Sequence, residues 1–273
     1  MAGPTRRQTF LPIVASLALA GWLAASHVHV ATALDAEPQK ILAPTGTLRV
    51  GLYPGTPTSI LPDAPGGPRG VGYDLGKEFA KRLGVRYEPV VFAKNAEVLD
   101  AVATGKVDMA FTNASASRAE MMDFGPPYIE IELGYLVPKG STIATLDDVD
   151  AQGQRVGVTT GSSSDATLSH DLKHAEVVRA ATFPVAIDML SAGSLNAFAT
   201  NKATLYEMAE KLPGSRVIEG HWGVERHSIA IPKGRDQGLA YVRQFTDAVK
   251  SEGLVKAAAE RAGLRGVLPP DAK

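Results

Sequence analysis

The chain of 273 residues contains no cysteine. That excludes disulfide staples, Cys-ligated metal and thiol nucleophiles, and it also excludes a lipid-modified N-terminal Cys. The last exclusion bears on Leu19-Ala20-Gly21-Trp22, which has the outline of a bacterial lipobox with Trp where the Cys must stand. Neither sign of charge is in excess, because 28 Lys and Arg against 29 Asp and Glu leave a net charge of -1. The basic footprint of a nucleic-acid binder is missing, so no nucleic-acid partner is expected. No Gly-Lys-Ser/Thr follows the small-residue loop at 159–164, which removes a phosphate-cradling P-loop.

What is present begins with a targeting segment at residues 1–33. Arg6 and Arg7 give it a positive end, Phe10 to Ala25 an apolar core, and Ala31-Thr32-Ala33 a small-x-small cleavage site. The apolar run is shorter than the ~20 residues of a membrane-spanning helix, so the expected product is exported, periplasmic and free of a lipid anchor. Residues 34–46 read as a polar leader. From residue 47, strand and helix patterns alternate. Strands are expected at 48–52, 87–92 and 107–111, with a helix capped by Asp74 and another capped by Asn95. Alternation of this kind predicts parallel sheets whose ligand crevice lies at the carboxyl ends of the strands. The loop that starts at Tyr53 and the segment before Arg118 both fall at that edge. A second unit follows, with strands at 155–158, 176–180, 195–200 and 216–219, a short helix opened by Thr145, and helices at 165, 184–192 and 203–211. A return strand at 228–232 and closing helices over 237–262 complete the chain.

The segment Thr112-Asn113-Ala114-Ser115-Ala116-Ser117-Arg118 reads as the start of a helix with Ser115 as N-cap. A cation in a first turn opposes the helix dipole, so Arg118 points to an anion in front of it. Hydroxyls, free N–H groups and a guanidinium fork at one point describe a carboxylate site. The loop Thr159-Thr160-Gly161-Ser162-Ser163-Ser164, between a strand and a helix, is a second place where unpaired N–H groups favour an anion. The heptad His221-Trp222-Gly223-Val224-Glu225-Arg226-His227 is the densest titratable cluster. Its spacing does not aim His and Glu at one metal, so no metal is expected, and Trp222 and Glu225 are candidates for an apolar wall and an anion in the cleft.

Val107-Asp108-Met109-Ala110-Phe111, the Arg118 segment and Met122-Asp123-Phe124-Gly125-Pro126-Pro127-Tyr128, together with Gly72-Tyr73-Asp74, resemble the periplasmic solute-binding proteins of polar amino-acid ABC transporters, family 3. The resemblance spans roughly residues 48–263. It implies the type II periplasmic-binding-protein fold: an α/β protein with two parallel-sheet lobes joined by two hinge crossings, lobe 1 being 47–133 plus 228–273 and lobe 2 being 134–227. It further implies a monomeric, non-catalytic binding subunit without cofactor, which closes on a small carboxylate-bearing solute, an amino acid or organic acid, and delivers it to a membrane permease. Two alternatives stand beside it, an exported enzyme on the same fold like the cyclohexadienyl dehydratases, and a ligand-sensing lobe.

Carried over residue by residue, the resemblance gives Arg118 the ligand's α-carboxylate. It puts Asn113 at a ligand-facing position, and it sets Thr159, Ser162 and Ser163 over the carboxylate from the other side. Ser115 and Tyr53 join the expected set. Asn201 stands where the family usually has the Asp that holds the α-ammonium. A neutral amide cannot neutralise an ammonium, so two ligand classes stay open. Either the solute lacks an ammonium, which the hydrogen-bonding versatility of Asn201 favours, or Glu225 supplies the missing charge.

Overall fold

Val50, Leu52, Met109 and Phe111 alternate with partners on neighbouring strands, and this period of two sets the first sheet region of the protein. The computed structural model describes residues 1–3 and 36–268. Apart from its first three residues the expected signal peptide, with its cleavage site and the lipobox-like stretch, lies outside these residues. Among the described residues no helix is long and apolar enough to cross a membrane.

Strand β1 (Thr47–Leu52) pairs in parallel with β2 (Arg86–Val91) and β3 (Met109–Asn113). Helices α2 (Val71–Leu83) and α3 (Asn95–Ala103) connect them. The chain then enters β4 (Met122–Val137), a 16-residue strand preceded by the single turn α4 (Ala116–Ala119). A second parallel set follows, β5 (Arg155–Thr159), β6 (Glu176–Ala180) and β7 (Ala197–Asn201). Helices α5 (Ser163–Asp171), α6 (Phe183–Ser191) and α7 (Lys202–Glu210) accompany it. The two-residue β8 (Arg216–Val217) pairs with β4, and β9 (Gly223–Pro232) returns antiparallel to both β4 and β3. Helices α8 (Leu239–Ser251) and α9 (Leu254–Ala262) close the chain.

Among the described residues the sheet runs β2-β1-β3-β9-β4-β7-β5-β6, with β8 beside β4. The two antiparallel strands β4 and β9 thus lie between two parallel sets. Apolar side chains gather on both sides of them, around Phe79 and Ile229 against the first set, and around Val156 and Phe198 against the second.

Several expectations are corrected. The 34–46 stretch is not a plain leader, because α1 (Ala36–Leu42) forms there and Leu42 is fully buried, with room for no side chain at Gly238 beneath it. Helix α2 begins at Val71, not Asp74, which instead pairs with Arg261 at 2.7 Å. The residue before it, Gly70, has φ 154°, and a Cβ there would lie 2.2 Å from the Ser59 carbonyl oxygen. Glycine therefore lets the loop after β1 fold back tightly and fixes where Arg69 stands. Asn95 is the first helical residue of α3 and not its cap. The helix expected at Thr145 is a turn, closed by Asp148 accepting from the Ala144 and Thr145 N–H groups at 2.9 and 2.8 Å. The last five residues of the heptad before the return are themselves strand, since β9 starts at Gly223.

Candidate functional site

Register places the site. Asn113 lies opposite His227, His227 opposite Ile129, Glu225 opposite Ile131, and Asn201 opposite Leu133. Residues 129, 131 and 133 share one face of β4, so Asn113, His227, Glu225 and Asn201 share it too, although they come from three different strands. They line a cavity of about 480 Å³ together with Arg118, Thr112, Tyr53, Thr159, Ser162 and Ser163. That volume suits a small molecule.

Arg118 is 6% exposed. Its Nη1 donates to Thr112 Oγ1 and to the Asn113 carbonyl oxygen, both at 3.0 Å, which leaves the Nε–Nη2 edge without a partner among the described residues. No carboxylate forms an ion pair with it among the described residues. Burial pushes its pKa down, while the charge of Glu225 works the other way. The dipole argument for Arg118 does not survive, because α4 is one turn long. What marks this residue is a buried fork aimed at a cavity.

Glu225 is also 6% exposed. Oε2 accepts from Asn201 Nδ2 at 3.1 Å and from His227 Nε2 at 3.0 Å, and Oε1 accepts from the Ser163 hydroxyl. Burial alone would raise this carboxyl. The hydrogen bonds from His227 and Ser163 and the positive field of His227 and Arg118 outweigh it and hold the pKa at about 2. Glu225 therefore remains a carboxylate at neutral pH, and among the described residues no Lys or Arg is paired to it. Tyr53 reports the same field. Burial and then Glu225 push its phenol up to about 12, so it faces the cavity as a neutral O–H.

The other expected residues are placed as follows. Ser162 caps α5, accepting from the Asp165 N–H at 3.1 Å, and Asp165 in turn takes the Gly161 N–H at 3.0 Å and pairs with Arg179. Part of the anion-binding capacity expected of that loop is thus satisfied internally. Thr159 Oγ1 is buried without a partner at the cavity wall. Asn113 spends its amide oxygen on the Arg226 N–H at 2.9 Å. Asn201 caps α7, accepting from the Thr204 N–H and hydroxyl at 3.0 Å each, so both ends of its amide are engaged within the chain. Ser115 does cap α4, accepting from the Arg118 N–H at 3.4 Å, but it is not among the residues lining the cavity. Trp222 is no cavity wall either. Its indole N–H donates to the Gly134 carbonyl at 3.1 Å and its ring packs 6.0 Å from Tyr135. Among the described residues no cluster is suited to a metal ion.

Sequence reasoning missed Phe183, which lines the cavity from the start of α6 and approaches Gly55 so closely that a Cβ there would meet its ring at 3.2 Å. Its place just beyond the carboxyl end of β6 is the usable signal. It also missed the bond from the Thr204 hydroxyl to Thr56 Oγ1 at 2.8 Å, which ties the loop after β1 to α7.

A cavity at the carboxyl ends of two parallel strand sets, crossed by two antiparallel strands and lined by a buried cation and a buried anion, defines a small-solute binding protein. The chain belongs to the bacterial extracellular solute-binding proteins, family 3, whose family model matches residues 48–263. Among similar proteins are the probable histidine-binding protein of Neisseria gonorrhoeae, 25% identical over 202 residues that make up 70% of this chain and 73% of that one. An ancestral arginine-binding protein, solved bound to glutamine, is 29% identical with a TM-score of 0.71, covering 81% of this chain and 98% of its own. The solute receptor for L-cysteine of N. gonorrhoeae is 28% identical with a TM-score of 0.72, covering 83% and 92%. The arrangement of strands is the type II periplasmic-binding-protein fold.

Proposed function

We propose that this protein is the exported solute-binding subunit of an ABC importer and that it captures a zwitterionic α-amino acid. One observation carries the reading. Arg118 and Glu225 line the same cavity, both are buried, and among the described residues neither is paired with an oppositely charged Lys, Arg, Asp or Glu side chain. A buried charge without a partner costs several kcal/mol, which a ligand bearing the opposite charge offsets. An α-carboxylate fits the free Nε–Nη2 edge of Arg118, and an α-ammonium fits the remaining lone pair of Glu225. Asn201 then acts by orienting Glu225 rather than by touching the solute.

The lobe boundaries inferred from sequence, 47–133 with 228–273 and 134–227, put the hinge in β4 and β9. Closure between them is driven by ligand contacts with both sides. The protein works as a monomer that presents its cargo to a membrane permease. An enzyme on this fold would use the Glu225–His227 pair, but a carboxylate held at about 2 is a weak proton acceptor at pH 7, which favours binding over turnover. Calorimetry with matched solutes that differ in the α-amino group tests the reading. Amino acids are expected to bind at least tenfold tighter than their des-amino or α-hydroxy counterparts, and equal affinity would overturn it.

A further inference from the structure

Arg69 and Glu207 also line the cavity, from the loop after β1 and from α7. Arg69 is half-buried and its Nε is fully buried with no hydrogen-bond partner. Glu207 is likewise half-buried and forms no hydrogen bond or ion pair with the described residues. Burial raises its carboxyl, Glu210 adds to this, and Arg265, Arg69 and Lys211 oppose it, so Arg69 and Glu207 sense each other without touching. Glu207 lies six residues along α7 from its N-cap Asn201, about 9 Å of helix, which sets this end of the cavity apart from Glu225. The Thr56–Thr204 bond holds the two walls together, and Glu207, three residues after Thr204, lies on the same face of α7. Phe183 supplies an apolar wall.

We propose that this arm of the cavity is the side-chain subsite, and that it takes a long, net-neutral side chain whose far end accepts from Arg69 and donates to Glu207. A carboxamide or a second α-amino-acid head group has that chemistry. The inference rests on the zwitterion reading of Arg118 and Glu225. A cationic tip would satisfy Glu207 and leave the Arg69 Nε unpaired and facing like charge. An anionic tip reverses the fault, and an alkyl tip leaves both groups desolvated and unpaired, which is how a polar site rejects an analogue.

Calorimetry of the full chain with L-alanine, L-norleucine, L-lysine, L-glutamate, L-glutamine and L-cystine decides it. Glutamine or cystine is expected to bind at least tenfold tighter than norleucine, lysine and glutamate. Glutamine leading identifies a carboxamide, and cystine leading identifies a second head group. Arg69→Met and Glu207→Gln are each expected to cut the ratio to norleucine at least fivefold. Neither side chain has a hydrogen bond to lose among the described residues, and an unchanged circular dichroism spectrum confirms folding. If alanine and norleucine bind but glutamine and cystine show no preference, or the preference survives in both variants, the subsite assignment is wrong and the zwitterion site stands. If no amino acid binds, alanine included, the zwitterion site falls and this assignment with it.

Discussion

Replacing Glu225 by Gln removes one charge from the cavity while keeping the shape of the side chain. In the wild type the carboxylate accepts from Ser163, Asn201 and His227, and all three can adjust to a neutral amide. Ser163 can rotate to accept from the new NH2 group, and the remaining amide oxygen still accepts from both Asn201 and His227. The fold should therefore persist. Binding should not, because an ammonium in a water-poor cavity loses its counter-charge. Truncating one partner of a buried charge pair costs ~2–5 kcal/mol, and ~3 kcal/mol is roughly a 100-fold loss of affinity. The loss is confined to solutes that carry the ammonium. Measured by calorimetry with L-glutamine and its des-amino counterpart, the variant should bind the two within a few-fold of each other, through weakening of the amino member alone. Glu225→Gln retaining the wild-type preference for the amino member would refute the argument, and so would an equal loss for both.

Arg118→Ala should weaken every carboxylate-bearing solute by on the order of 3 kcal/mol, since the solute's carboxylate loses the guanidinium fork that Thr112 and the Asn113 carbonyl hold in place. A solute whose carboxylate is amidated, titrated in parallel, should lose little more. In acid, the folded pKa of Glu225 lies at about 2 against an ordinary value of 4.5, a depressed value, so its contribution is complete above pH 4.5 and is lost as pH falls toward 2. Urea titrations across that window should show the wild type losing about 3 kcal/mol more than Glu225→Gln, and parallel curves would contradict the assignment.

Much of the fold was legible because its signals are local. The alternation of Leu48, Val50 and Leu52 marked β1, and Ser162 was read as leading into α5 from small-polar composition that the N-cap geometry explains. The misses share a cause. Helix α1 has a sequence too short and polar to announce a helix, and it forms where Leu42 finds a pocket at Gly238, a contact almost 200 residues away in the chain. Glu225 was one of several titratable groups in the heptad 221–227. Its role depends on the register of β9 against β4, which no local pattern encodes. Asn201 was read as a departure from the family pattern and as a ligand contact, whereas its hydrogen bonds to Thr204 and Glu225 become visible only with three-dimensional neighbours.

The relation between Asn201 and Glu225 yields a sharper test of where the anion belongs. If position 201 were an ammonium seat merely lacking its charge, Asn201→Asp would restore it and tighten amino-acid binding. The geometry argues otherwise. Asn201 Nδ2 lies 3.1 Å from Glu225 Oε2, so an Asp would set two carboxylate oxygens about that distance apart, deep in the protein. Like charges so placed do not both ionise, and the pair holds one proton at neutral pH. The cap on α7 survives, since Asp accepts from the Thr204 N–H as Asn does. The net charge facing the solute stays at one unit, and the orienting N–H on Glu225 is replaced by a shared proton. The variant should therefore bind amino acids no tighter than the wild type at pH 7, and its affinity should rise with pH as the shared proton is lost, where the wild type is flat from pH 5 to 7. Calorimetry at three pH values reads this directly. A tenfold gain at pH 7 would mean that position 201, and not Glu225, is where the ammonium sits.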